Sequence, residues 1–290
     1  MSKVAVVTDS NSGITQMMAK DLGIKVIPMP FMFGDSTDTY YEDINLTREE
    51  FFQRMAEGQT VHTSQPAPAD VMKTWDDLLE KYDEVVHIPM SSGLSGSCQS
   101  AIALAQDYDG RVQVVNNQRI SVTQKRSVLD AMEMAGTGKN AAGIRKKLEE
   151  VKFESSIYIM LDTLTYLKRG GRITPAAAAI GTLLKIKPVL QIKGERLDAF
   201  SKARTTQQGR TTMLNAMHND IDKLYGGQEN VWLYAVHAQC PETFAPWAEE
   251  VRTTFGGAKV EDDMLSLSVC CHIGPGALAI ACSRKLTVNE

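Results

Sequence analysis

Between Val85 and Gln106 the sequence changes its hydrophobic period once, and that change narrows the folds open to the chain. Val85-Val86-His87-Ile88-Pro89-Met90 is a short apolar run rich in Val and Ile, and Cys98 to Gln106 sets Ile102, Leu104 and Ala105 among good helix formers. Strand, loop and helix follow in that order. The joining loop, Ser91-Ser92-Gly93-Leu94-Ser95-Gly96-Ser97, places four serines and two glycines in seven positions beside a helix start. Hydroxyl donors and close backbone approach suit the holding of an anion. Ser and Gly are also ordinary turn residues, and Ser95 or Ser97 serves equally as a helix N-cap.

The same alternation runs through the first half. Lys3 to Thr8 reads as a buried strand ending in Asp9-Ser10-Asn11-Ser12-Gly13, ahead of a helix from Thr15 to Leu22 that Gly23 stops. Ile24 to Phe33 reads as a second strand, and Pro28 and Pro30 give it an edge position. Thr47-Arg48-Glu49-Glu50 has the form of a capping box before Phe51, Phe52 and Met55. Thr60 to Pro66 is a hydroxyl-rich loop, with Pro66 and Pro68 at the first turn of a helix carrying Val71, Trp75, Leu78 and Tyr82 at helical spacing. Arg111 to Val115 adds a strand; Val122 to Met134 and Ala141 to Val151, the latter capped by Asn140, add helices. Strand and helix in alternation predict a mostly parallel sheet with helices on its faces, and ligands then bind at the edge where the strands end.

From Ile157 the character changes. A strand leads to Lys168-Arg169-Gly170-Gly171-Arg172, a basic turn that reads either as a clamp for a carboxylate or phosphate or as a solvated turn. Ala176 to Leu184 is apolar nearly all round and reads as a buried helix. Val189 to Ile192 begins a hairpin turning at Lys193-Gly194-Glu195, Ser201 to Thr205 precedes a helix, and Val231 to His237 is a central strand followed by an amphipathic helix from Glu242 to Phe255. Near the end, Cys271-His272-Ile273-Gly274-Pro275-Gly276 reads as a stiff turn holding the His272 imidazole before an apolar strand, Ala277 to Ala281.

A net charge of −4 over 290 residues argues against a nucleic-acid or anionic-membrane surface. Five cysteines without a CxxC pair fit a reducing compartment rather than a disulfide framework or a zinc site. The chain enters its first strand within three residues and no apolar run approaches eighteen, so neither a signal peptide nor a membrane span is expected, and the cytoplasm is the expected location.

Thr8-Asp9-Ser10, Thr63-Ser64-Gln65-Pro66, Ser91 to Gly96, Leu167 to Ile173, Leu183 to Pro188, Lys202-Ala203-Arg204-Thr205 and His272 to Gly276 occur in the order seen in the DegV family. Over essentially its full length the chain resembles that family, and within it the fatty-acid-binding (FakB-type) subunits of bacterial fatty acid kinase. The resemblance implies two α/β domains. Residues 1–154 would form a mostly parallel three-layer domain with the carboxylate-binding loops; residues 155–290 would form a domain with a mixed sheet, the basic turn and a lipid tunnel. It implies a long-chain fatty acid as ligand, no cofactor and no metal. Thr63 and Ser95 would hydrogen-bond the carboxylate, with Asp9, Ser10, Ser64, Ser92, Gly96, Arg204 and His272 in the polar network around it. Arg172 and His272 would govern engagement of a separate ATP-dependent kinase subunit. Cys98, where many members carry an aromatic residue, and Gln207-Gln208, where basic residues are more usual, depart from the family pattern.

No GxxxxGK[ST] loop is present, which fits a carrier without phosphoryl-transfer machinery of its own. The competing reading is a serine hydrolase with Ser95 as nucleophile and His272 as base, although Gly93-Leu94-Ser95-Gly96-Ser97 is not Gly-x-Ser-x-Gly. A nucleotide-binding regulator rests on the parallel sheet alone.

Overall fold

Capped helices alternate with β-branched runs from the first residues onward. β1 (Val4–Asp9) leads to α1 (Gln16–Leu22), where Thr15 accepts from the Met18 N–H and Gly23 closes the helix in a left-handed turn. β2 (Lys25–Ile27), β3 (Pro30–Phe33) and β4 (Tyr40–Tyr41) precede α2 (Arg48–Ala56), capped by Thr47 onto the Glu50 N–H. β5 (Val61–Thr63), α3 (Pro68–Leu79), β6 (Glu84–Ile88), α4 (Ser97–Leu104), β7 (Val112–Val114), α5 (Ser121–Gly136) and α6 (Ala141–Glu150) complete this stretch. The computed structural model describes residues 2–175 and 186–287. Ala176 to Leu184, read above as a buried helix, and the Leu183 to Lys185 part of the motif that ends at Pro188 lie outside the described residues.

The chain divides into two compact units. The first runs from the N-terminus to Lys152, joined by Ser266–Ser268 and by the end of the chain from Leu286; the second comprises Phe153–Leu265 and Val269–Lys285. In the first unit, β2, β1, β6 and β7 form a four-stranded, all-parallel sheet in that order. Alternate residues of β1 serve opposite faces, as strand geometry requires. Val6 packs with Ile14, Val128, Ile144 and Leu148 on one side, and Ala5 and Val7 with Trp75, Leu78, Cys98 and Ala101 on the other. Both faces are covered, which makes this a three-layer α/β arrangement. β4, β3 and β5 form a separate three-stranded antiparallel sheet.

The second unit contains β8 (Ser155–Met160), α7 (Thr165–Gly170), β9 (Lys187–Ile192), β10 (Asp198–Ala203), α8 (Thr206–Leu224), β11 (Val231–His237), α9 (Pro241–Thr254), β12 (Val260–Met264) and β13 (Leu278–Arg284). Just before β13, α10 (Leu267–Ile273) begins among residues grouped with the first unit and ends in the second. The six-stranded sheet has the order β10-β9-β8-β13-β11-β12 and is mixed: β11 and β12 run parallel, and the other pairs antiparallel. Its core joins Met213, Met217 and Ile221 of α8 and Trp247 and Val251 of α9 to Tyr158, Leu233 and Ile280 on the strands.

Four local expectations give way to the structure. The stretch from Ile24 to Phe33 is two strands in different sheets, because Pro28 lies between them and Pro30 starts β3. Val61–Thr63 is a strand rather than loop, its backbone paired with β3. Lys168–Gly170 close α7, and only Gly171 and Arg172 form the turn. Cys271, His272 and Ile273 end α10, and the turn begins at Gly274, whose φ of 79° admits glycine readily. A helix ending on a positive-φ glycine carried too little periodic sequence to be read in advance.

Candidate functional site

Because β1, β2, β6 and β7 are parallel, the loops that follow them leave the sheet at one edge. Asp9 organises that edge. Its Oδ1 accepts from the Asn11 N–H at 3.0 Å, Asn11 Nδ2 at 2.9 Å and Gln124 Nε2 at 3.1 Å, and its Oδ2 accepts from the Met90 N–H at 2.8 Å. Burial pushes the Asp9 carboxyl above its ordinary range, and these donors offset part of that shift. Met90 is thereby fixed at the start of the serine loop. The next residue, Ser91, donates its N–H to Arg119 O at 2.8 Å and accepts at its own carbonyl from Leu94 and Ser95.

Ser10 supports the second hydroxyl-bearing stretch. Its Oγ accepts from the Met29 N–H at 3.1 Å, and the neighbouring Pro30 carbonyl accepts from the Ser64 N–H at 3.3 Å. Thr63 is half-buried and pairs with Phe31 in β3, while Ser64 is exposed. Gln65 then closes on the serine loop. Its Oε1 accepts from Ser100 Oγ at 3.1 Å and would lie 3.4 Å from a Cβ placed on Gly96. Gly96 is the N-cap of α4, not Ser95 or Ser97; Ser95 Oγ accepts from the Ser97 N–H at 3.2 Å. Ser92 is half-buried in the turn that precedes Ser95. Thus Asp9, Ser10, Thr63, Ser64, Ser92, Ser95 and Gly96 belong to strand ends and the loops that follow them in one unit.

Behind these loops lies a small, partly open pocket. Ile27, Val71, Pro89, Ala101 and Leu104 supply an apolar wall, and Asp9, Gln65, His87, Ser97 and Ser100 add polar groups. His87 is buried, its ring 5.7 Å from that of Trp75 in an edge-on arrangement, and burial holds its imidazole down at about 3.

In the second unit the structure brings Arg172 and His272 together. Arg172 Nη1 donates to the Gly170 carbonyl, and a Cβ on Gly170 would collide with His272 Nδ1, so glycine is required there by close approach. Burial and, after it, the Arg172 charge hold the His272 imidazole down at about 4. Arg204 follows β10 in the bend before α8; it is exposed, and its backbone N–H donates to Gln208 Oε1 at 2.8 Å. Ser95 and His272, the pair of the hydrolase reading, fall in different units.

Sequence reasoning passed over the residues that fix this edge from behind. Gln124 Nε2 lies 3.1 Å from Thr8 Oγ1, Asp9 Oδ1 and the Ile88 carbonyl alike, and Arg119 is buried with its guanidinium on Ser127 Oγ and the Val151 carbonyl. Gln118 and Ser121, at φ of 57° and 55°, bend the chain there through the left-handed region, a conformation that non-glycine residues rarely adopt. The available signal was a His inside an apolar strand and a helix, α5, with polar residues on every side.

An α/β protein with hydroxyl-bearing loops at a parallel sheet edge and an apolar pocket behind them is the class defined by this geometry. The chain belongs to the DegV family: residues 3–285 match its model, described as "Uncharacterised protein, DegV family". Protein DegV of Bacillus subtilis is 31% identical over 280 residues, covering 96% of this chain and 98% of that protein. Among solved structures, one described as fatty acid binding of a DegV family protein from Thermus thermophilus aligns with a TM-score of 0.87 at 31% identity, covering 98% of this chain and 100% of that one. The structure of DegV of Bacillus subtilis, described as a fatty acid binding protein, aligns with a TM-score of 0.85 at 30% identity and the same coverage. Among the described residues no helix is long and apolar enough to cross a membrane.

Proposed function

We propose that this protein binds a long-chain fatty acid and presents its carboxylate to a separate ATP-dependent kinase for conversion to the acyl phosphate. The observation that carries the reading is the closure of the stretch that follows Thr63 on the Ser95 loop through Gln65, beside an apolar pocket, in a family whose structural relatives are described as fatty-acid-binding. The Thr63 and Ser95 hydroxyls donate to the carboxylate, replacing the water it loses. The tail supplies the affinity: about fifteen methylenes at ~0.8 kcal/mol each yield roughly 12 kcal/mol before ordering costs. Arg172 and His272 act on kinase engagement rather than on lipid binding, and no cofactor takes part.

Lipid extracted from the purified protein and identified by mass spectrometry tests the first half. A long-chain fatty acid at near one per chain is expected; protein from lipid-replete cells that carries none, and that binds none when titrated, refutes the reading. Thr63→Ala and Ser95→Ala should each weaken binding by roughly 1 to 3 kcal/mol. Arg172→Ala should slow acyl phosphate formation in a kinase-coupled assay while leaving the lipid Kd nearly unchanged; equal losses in both would contradict that division. An acyl-ester turnover abolished by Ser95→Ala would instead establish the hydrolase.

A further inference from the structure

Two polar side chains in the wall of the first unit's pocket are buried without a partner. His87 is 3% exposed and neither ring nitrogen is in a hydrogen bond; Ser97 is 9% exposed and its hydroxyl has none either. The other polar residues of the wall differ from them. Asp9 is held by its N–H donors, and Gln65 and Ser100 hold each other. Burying an imidazole and a hydroxyl unpartnered opposes folding, so the group that meets them in this pocket, a water or the water's replacement on a ligand, offers both a donor and an acceptor. A neutral imidazole carries one donor and one acceptor nitrogen, and a hydroxyl does both tasks, so a single alcohol group meets the requirement of either side chain. The remaining wall, Ile27, Val71, Ala101 and Leu104, calls for hydrocarbon around that alcohol.

We propose that the pocket takes a hydroxylated fatty acid, with the hydroxyl of the chain meeting His87 and Ser97. This rests on the fatty-acid reading above and names the substrate class within it. Ser97 is two residues from Ser95, at most about 7 Å between their Cα atoms, which sets the hydroxyl near the carboxyl end of the chain rather than near its tail.

Delipidated full-length protein titrated calorimetrically with hexadecanoate, 3-hydroxyhexadecanoate and 12-hydroxyoctadecanoate separates the outcomes. The 3-hydroxy acid should bind about tenfold more tightly than hexadecanoate, the 12-hydroxy acid should gain nothing, and Ser97→Ala and His87→Phe should each bring the 3-hydroxy preference close to one. Ser97→Ala removes a hydroxyl only, so it carries the test if His87→Phe fails to fold. Equal wild-type affinity for hexadecanoate and its 3-hydroxy form, a preference for the 12-hydroxy acid, or a preference that survives Ser97→Ala overturns this proposal while fatty acid binding stands. Failure of all three acids to bind overturns both.

Discussion

The first unit buries a row of polar side chains along α5, whereas the second is built on an apolar block under α8 and α9. Ser121, Thr123, Gln124, Arg126, Ser127 and Asp130 are all buried on one helix of the first unit, whereas Met213, Met217, Trp247, Val251 and Phe255 are buried together in the second. The contrast follows from topology. A parallel sheet sends the loops after its strands to a single edge, where each loop needs its backbone groups satisfied; the Gln124 side chain of α5 donates to the Ile88 carbonyl, and the Arg119 carbonyl in the preceding bend accepts from the Ser91 N–H. In a sheet made mostly of antiparallel pairs the connections are shared between both ends, and the faces are free to be hydrophobic. Polar burial in this molecule is therefore concentrated in the unit that carries the candidate loops.

The contrast can be broken by substitution. Trp247 is fully buried and donates to the Ala279 carbonyl at 2.9 Å, so Trp247→Ala should cost about 3–5 kcal/mol in denaturant unfolding, the largest effect expected from either unit. Asp130 comes next: its 2.7 Å pair with Arg126 is buried, and burial pushes its carboxyl up to about 6 against the pull of that cation. Asp130→Ala should cost about 1–3 kcal/mol by leaving the buried Arg126 with the more exposed Glu133 in place of a buried carboxylate, but Arg126→Met with Asp130→Leu should be nearly neutral. A double substitution as costly as the single one would show that the polar row supports stability after all. The last effect is nil at neutral pH and appears only in acid. His87 protonates near 6.5 when unfolded and near 3 when folded, so the unfolded state holds more protons in that window. The contribution is fully present above 6.5 and is lost as pH falls toward 3, with a slope of up to ~1.4 kcal/mol per pH unit that His87→Phe should remove.

Much of the fold was legible because it depended on short-range chemistry. Thr47 and Asn140 are N-caps in the structure as expected, each accepting from a backbone N–H three residues ahead, and Thr15 and Thr205, not read as caps, do the same. Gly23 ends its helix for the reason glycine usually does. Less legible were the two strands on either side of Pro28, the short α10 that carries His272, and the β12 strand, whose acidic Val260–Met264 sequence shows little of the apolar alternation a reader looks for.

For the site, the sequence supplied the chemistry of the loops but not their company. Ser-Gly turns, a Thr-Ser-Gln-Pro stretch and a strand ending in Asp-Ser mark themselves, because residue type fixes hydrogen-bonding capacity. Which of them meet was decided by tertiary structure alone: Asp9 holds Met90 across 81 residues, Gln124 reaches Asp9 across 115, and Gln65 finds Ser100 across 35. Local sequence determines what each segment is able to donate, accept or bury. Only the parallel pairing of distant strands, driven by burial of both faces of the sheet, determines which of those capacities share one pocket.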